Sequence, residues 1–411
     1  MRRICALLCA ALLAGGAAAA QGDASGELRA RWDARDANPQ GPLAGADARV
    51  PGIAPATPSA AVAEAELRGR WRALSADLLL SATRDEGGGT RSLARFNEFH
   101  ASGDFGAWQL SAGKKIVGWD VGYGFRPNDV VQQEERRTLL SLTPEGRPLL
   151  QLEHFGATTA ASLVWVNPQR WHDPDDAQRF ARESALAARG YLRAGAADWH
   201  LFGRVGQHTG ASVGAALAWV ATESLELHAS ARLLQRHDGW AFDAAAGDAP
   251  VRANPWRVQT LGGASQWLVG ANWTGAAQQS VIVEWWHDGT ALSDGAWDAW
   301  SARNAALAAG AAPPVALAGN LAWQASPLGA TSLRRDNLFV RLAWQPEHWL
   351  ITLDALVTPA DRGRVVTAEV QWQGDRVRVN AAWRVMEGPS DAVVVKLPLR
   401  HSGLLALTWA F

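Results

Sequence analysis

Leu404-Leu405-Ala406-Leu407-Thr408-Trp409-Ala410-Phe411 is the stretch whose reading decides the fold. Counting back in twos from Phe411 gives Trp409, Leu407 and Leu405, all large and apolar. Ala410, Thr408 and Ala406 between them are small or polar. Successive side chains of a strand point to opposite faces, so this is a strand with one oily face and one lumen-like face. It stops on the oily face, where soluble proteins rarely leave a free C-terminus.

The same alternation runs through the chain. Leu28, Ala30, Trp32 and Ala34 alternate with Glu27, Arg29, Arg31, Asp33 and Arg35. Ala65, Leu67, Gly69 and Trp71 alternate with Glu64, Glu66, Arg68, Arg70 and Arg72, and Val377, Val379, Ala381 and Trp383 with Arg376, Arg378, Asn380 and Arg384. Charge on one face and oil on the other fits a soluble sandwich as well as a membrane barrel. Connection lengths separate them, because spanning barrels have short turns on one side and long loops on the other.

About eighteen strands can be threaded, with sixteen as the runner-up. They cover 26–35, 62–73, 75–84, 91–101, 105–116, 147–155, 158–167, 182–193 and 197–206, then 211–220, 223–235, 263–274, 277–287, 335–345, 348–358, 363–373, 375–386 and 401–411. Every even-to-odd junction is short, and most odd-to-even junctions are long: 36–61, 117–146, 168–181, 236–262, 288–334 and 387–400. A sandwich has no reason to segregate loop length by side. The expected fold is therefore all-β: a transmembrane antiparallel up-and-down β-barrel. Within it, 91–101 carries Glu98 and His100 on the face of Ala94 and Phe96, so either a bulge intervenes or the strand ends early. Arg137–Thr143 is left in its long loop, 36–60 reads as irregular, and 293–309 reads as a short helix.

Composition bounds the compartment. Arg2 and Arg3, the apolar run Ile4–Leu13 and Ala18-Ala19-Ala20 read as a secretory signal peptide over 1–20, cleaved before Gln21. Residues 21–411 then form one barrel domain. Both cysteines, Cys5 and Cys9, lie in that leader, which excludes disulfide staples, thiolate metal sites and cysteine nucleophiles. The net charge of −1 becomes about −3 without Arg2 and Arg3, with no basic excess to favour nucleic acid. The chain has 22 Trp against 2 Tyr, recurring near segment ends, as suits rings at a membrane–water interface.

The stretch 404–411 resembles the terminal strand of bacterial outer-membrane β-barrels, where a closing aromatic is the recurrent assembly signal. The resemblance implies Leu405, Leu407, Trp409 and Phe411 as that signal, with outer-membrane lipid and the barrel-assembly machinery as partners. The run Gly113-Lys114-Lys115-Ile116-Val117-Gly118-Trp119-Asp120, followed by Arg126-Pro127-Asn128-Asp129, resembles a pattern of alginate-export-like and related porin-like families over about twenty residues. In diffusion porins a loop in the position of 117–146 folds inward and narrows the pore. By that analogy Trp119, Tyr123, Phe125, Arg126, Asp129, Glu134 and Glu135 are candidate constriction residues; an extracellular lid is the equal alternative.

A channel's chemistry is the lining of its pore. Barrel closure sets the last two strands beside the first two and gathers Arg29, Arg31, Arg68, Arg70, Arg72, Arg376, Arg378 and Arg384 on one wall. Guanidinium groups stay charged and grip carboxylate or phosphate, so such a wall favours anions. Equally, each Arg can pair with Glu64, Glu66 or Asp33 and merely stiffen the wall. No nucleophile elbow, P-loop, HExxH or dinucleotide fingerprint is present, and the 10 His are scattered. No catalytic residue, cofactor or metal is expected. The expected function is a porin-like outer-membrane channel for small hydrophilic, perhaps anionic, solutes; the alternative is a dedicated exporter or envelope-assembly component, and an outer-membrane enzyme ranks below both.

Overall fold

The structure is a computed structural model and describes residues 22–132, 139, 143–167 and 183–411. The leader, Glu134 and Glu135, and most of Arg137–Thr143 lie outside the described residues.

Among the described residues, eighteen antiparallel strands form one closed sheet. They begin with β1 (Asp23–Ala37), β2 (Ala60–Trp71), β3 (Leu74–Asp85), β4 (Thr90–Phe105), β5 (Trp108–Lys115) and β6 (Arg147–Phe155). Next come β7 (Thr159–Val166), β8 (Ala185–Ala194), β9 (Ala197–Gly206), β10 (Gly210–Thr222) and β11 (Leu225–Leu234). A separate hairpin, β12 (His237–Phe242) with β13 (Trp256–Leu261), stands outside the barrel sheet. The barrel resumes with β14 (Ala264–Thr274), β15 (Gln279–Asp288), β16 (Asp336–Trp344), β17 (Trp349–Thr358) and β18 (Gly363–Gln373). β19 (Val377–Glu387) and β20 (Leu399–Ala410) complete it, and β20 pairs with β1 to close the seam. Closure leaves no backbone edge to be satisfied by lipid.

Each threaded strand has its counterpart here. The open question in β4 resolves as a bulge: Asp77 faces Glu98 and Leu78 faces Phe96, leaving Asn97 as the extra residue. The bulge resets the parity, and the strand runs on to Phe105. Asn97 is buried and donates to Asp77 Oδ1 at 3.3 Å.

Two girdles of tryptophan mark the interfaces. Trp71, Trp108, Trp199, Trp219, Trp273 and Trp344 sit at the short-turn ends of their strands with rings exposed. Trp32, Trp165, Trp285 and Trp383 are exposed towards the long-loop end. Between them the outward positions carry side chains such as Leu201, Val213, Leu405 and Leu407, all exposed. An apolar band framed by aromatic girdles is the surface a spanning barrel turns to hydrocarbon.

The long loops build a cap on that end. The expected helix runs Asp294–Ala309, with Ser293 Oγ accepting from the Ala296 N–H. Besides the β12–β13 hairpin within 236–262, two helices depart from the sequence reading. Pro42–Asp47 is helical inside the segment read as irregular, with Pro42 preset for a first turn, and Pro314–Trp323 is a second loop helix. Trp256, Trp297, Trp300, Leu328, Val393 and Val394 form one cap core, and Ala46, Leu307, Leu317 and Leu321 a second. Polar groups lock the pieces. Gln324 Oε1 accepts from Trp256 Nε1 at 2.7 Å, Trp297 Nε1 donates to the Leu333 carbonyl at 2.6 Å, and Asn38 Nδ2 reaches the Leu397 carbonyl at 2.7 Å.

Candidate functional site: the lumen and its constriction

The loop after β5 folds into the barrel. Val117, Trp119, Val130 and Val131 pack on the lumen-facing Leu149, Val164, Val166, Ala187, Phe202 and Ala216, filling that side of the interior. Its own turn is knotted by carboxylates. Asp129 Oδ1 accepts the N–H groups of Trp119 (2.8 Å) and Asp120 (3.0 Å), and Asp120 in turn takes the Asn128 N–H. Burial pushes the Asp120 carboxyl above its ordinary range, with the neighbouring Asp129 charge adding to the rise and hydrogen bonds opposing it. Here the Trp-Asp and Arg-Pro-Asn-Asp pieces of the sequence pattern meet.

The loop reaches the far wall. Glu284 of β15 is fully buried and accepts the N–H groups of Tyr123 and Gly124, each at 2.6 Å, while His228 Nε2 lies 2.9 Å from the same carboxylate. Asn128 Nδ2 donates to Ser230 Oγ (2.8 Å) and the Ala231 carbonyl (3.0 Å), and Arg232 Nη1 donates to the Pro127 carbonyl (3.0 Å). A Cβ at Gly214 would stand 1.9 Å from Asn128 Oδ1, so the wall needs glycine where the loop lands. Phe125 stacks on Trp286 (5.5 Å, 15°) and Tyr123 on Phe339 (5.9 Å, 21°), with the Arg341 guanidinium 5.2 Å from the Tyr123 ring. The stretch 116–132 of this loop lies inside the barrel.

Four of the seam arginines, Arg29, Arg31, Arg68 and Arg378, pair with carboxylates. Arg29 Nη1 lies 3.0 Å from Glu64 Oε2 and its Nη2 3.1 Å from Glu27; Arg31 Nε lies 2.9 Å from Asp33. Arg68 bridges Glu66 (2.6 Å) and Asp77 (3.3 Å), and Arg378 meets Glu27 at 3.3 Å. Arg384 Nε donates to Thr367 Oγ1 at 2.9 Å. Arg70 and Arg376 sit exposed beside the short turns. Arg72 departs from the expected wall: it is in the β2–β3 turn with φ 53°, and its guanidinium lies 4.9 Å from the outward Trp71 ring. The turn takes over where the strand's alternation stops, and it carries Arg72 off the lumen face.

A cavity of about 1060 Å³ lies between the inward loop, the β16–β20 wall and the underside of the cap. Among the described residues, seven arginines and three carboxylates line it, Arg29, Arg378 and Arg384 of the expected wall included. Register sets Arg341, Asp354, Thr367, Arg384 and Ser402 side by side across β16 to β20. Arg341 Nη1 lies 2.9 and 3.2 Å from the two Asp354 oxygens. The sequence expectation did not include Arg334 and Arg364, which the cap and the rim of β18 contribute; Arg126, a constriction candidate, enters from the inward loop. The cavity roof is fixed by Asp361, which takes Arg334 Nε and the Val393 N–H, each at 2.9 Å. Burial works to raise the Asp361 carboxyl, but Thr358, the Val393 and Gly363 amides and Arg334 outweigh it and hold it below its ordinary range.

No protein-family model matches the chain, and no curated protein matches it. Solved structures do. OccAB1 of Acinetobacter baumannii shares 11% identity over 95% of this chain and 96% of its own, with a TM-score of 0.56. OccK8 (OprE) of Pseudomonas aeruginosa shares 9% identity over 95% and 98%, TM-score 0.52, and OprD of the same organism 9% over 95% and 95%, TM-score 0.50. At these identities the likeness is one of fold. It supports the porin-like barrel and does not bear on the alginate-export-like resemblance.

Proposed function

We propose that the chain is a bacterial outer-membrane channel that passes small hydrophilic solutes down their gradient and favours anions. Residues 1–20 serve as its export leader, and the barrel-assembly machinery inserts it. The observation that carries the preference is the lining of the lumen cavity, where among the described residues arginine outnumbers carboxylate by seven to three. Arginine presents a fixed charge and a forked donor set, so passing carboxylates or phosphates are drawn in and held briefly. The fold likeness to OccAB1, OccK8 and OprD supports a channel; the alginate-export-like pattern at 113–129 remains a family-level suggestion alongside it.

Planar-bilayer recording across a potassium chloride gradient tests this. The expected result is a reversal potential on the chloride side, moved towards zero by Arg341→Ala with Arg384→Ala. A cation-selective current in the unmodified protein would sink the anion preference. One observation favours a second reading, a gated or dedicated exporter. The cap has its own packed cores over the extracellular mouth, and an open diffusion pore has no need of them. A barrel that inserts but stays silent at moderate voltage would favour that reading.

A further inference from the structure

Alternation breaks once near the outer end of β20. Asp36 of β1 faces His401 and Ala37 faces Leu399, which leaves Arg400 as the extra residue of a bulge. A bulge re-aims side chains. Here it brings two consecutive residues, Arg400 and His401, to one recess of about 340 Å³ at the top of β19 and β20. Gln40 and Ser390 add polar lining, and Val385 and Val395 apolar lining.

The two basic side chains are uncommitted. Among the described residues, Arg400 is exposed and forms no ion pair, and His401 Nδ1 is buried without a hydrogen-bond partner. The carboxylate of the recess is already taken: Glu387 Oε2 lies 3.0 Å from Arg364 Nε and 2.8 Å from Arg364 Nη2. Asp36, opposite His401 across the seam, is exposed and forms no ion pair with it. A buried polar atom without a partner asks for one, and a free guanidinium beside it suits a ligand rich in anionic oxygens.

Depth in the membrane narrows the ligand. Trp383 belongs to the outer girdle. Its ring lies over Gly403, where a Cβ would stand 2.6 Å from Cε3, and it stacks on His401 at 5.9 Å and 17°. Girdle rings sit at headgroup level, so Arg400 and His401 stand among headgroups, on the outside of the barrel. Beneath them Trp383, Leu405 and Leu407 are exposed and make an oily track on β19 and β20. A free anion would use only the basic pair. A phosphorylated lipid uses the pair and the track together.

We infer that this recess docks the phosphorylated sugar headgroup of an outer-leaflet glycolipid, with the phosphate on Arg400 and His401 and an acyl chain along Trp383 and Leu405. The site goes beyond the channel reading and rests only on the barrel's place in the outer membrane.

The test uses the full mature barrel in detergent, incubated with diphosphorylated lipid A, and counts by native mass spectrometry the lipid retained per barrel. One retained lipid is expected. Arg400→Ala with His401→Ala is expected to lower its retention about tenfold or more, since charge-assisted hydrogen bonds are lost. Heat-modifiable gel mobility checks that this variant is folded. Lipid A stripped of its phosphates, offered to the unmodified protein, is expected to show the same loss, and this arm needs no variant. Equal retention of the stripped and the phosphorylated lipid would overturn the inference, as would undiminished retention by the folded double variant. Displacement of the lipid by an equal concentration of inorganic phosphate would overturn it too, by showing a site for free anion. Each of these results leaves the channel reading standing, because chloride reversal in the unmodified protein tests that separately.

Discussion

Gly26 and Phe411 exchange both main-chain hydrogen bonds at the seam, Gly26 N–H to Phe411 oxygen at 3.0 Å and Phe411 N–H to Gly26 oxygen at 3.0 Å. They are the last pair of the β1–β20 ladder. The Phe411 ring lies over the glycine, so that a Cβ at Gly26 would stand 2.5 Å from its Cζ, and it stacks on Trp409 at 5.2 Å. The absent side chain makes room for the closing aromatic.

Gly26→Leu therefore forces the Phe411 ring from its seat. Overpacking of this kind costs about 1–3 kcal/mol. The first and last strands meet at this pair, so the effect falls on closure of the barrel. The folded, heat-modifiable fraction on a semi-native gel is expected to drop, and Gly26→Ala is expected to give a smaller loss. An unchanged folded fraction in Gly26→Leu would show that the ring has another place to go.

Glu284 holds the tip of the inward loop. Its carboxylate takes two amide N–H groups of the loop and lies beside His228. Hydrogen bonds to a charged group contribute about 1.5–3 kcal/mol each. Glu284→Ala is expected to free the Tyr123–Gly124 tip, raise single-channel conductance and add open-channel noise. Glu284→Gln keeps one acceptor and should fall between. Identical conductance in all three proteins would mean that the Asn128 and Arg232 anchors alone hold the loop.

The barrel was legible in the sequence because its physics is local. Period-two alternation, turn length and the position of Trp are properties of single strands or neighbouring ones, and eighteen strands follow from them. The inward loop was readable only by analogy, because nothing near Tyr123 or Gly124 signals a contact with Glu284, whose partner lies about 160 residues along the chain. The cavity shows the same limit. Parity alone puts Arg384 inward, and the same parity puts Leu356, Val365 and Met386 inward, yet their meaning depends on cross-strand register. Alternation from Arg341 puts Phe339 on the polar face of its strand; register makes it an apolar step above Arg341. Arg72 failed for the opposite reason, since alternation was carried one residue past the strand end.

Asp354 tempers the cationic row by pairing with Arg341. Asp354→Asn keeps the shape and removes one negative charge from the lumen. A unit charge about 5 Å away in a water-like medium is worth about 0.8 kcal/mol, roughly fourfold in relative permeability. The reversal potential in a potassium chloride gradient is expected to move further to the chloride side. Movement the other way would place the conducting path away from this row.

Asp361 gives the cap a dependence on pH. Its carboxylate ties three segments: Arg334 from the longest loop, the Thr358–Gly363 turn, and Val393 from the loop before β20. Those partners hold its folded value below the ordinary aspartate value of about 3.9. The unfolded or undocked form therefore binds the proton first. The docking contribution is fully present above about pH 4 and is lost as pH falls through the depressed folded value. Acidification below about pH 4 is expected to loosen the cap, seen as greater conductance or faster protease cleavage within 289–335. Asp361→Asn should show the loosened behaviour already at neutral pH, at a cost of about 1.5–3 kcal/mol, because the charge-assisted bond to Arg334 is gone while Arg334 keeps Asp294 at 3.0 Å. If the variant matches the unmodified protein at both pH values, the cap is held by its tryptophan core and the carboxylate knot is incidental.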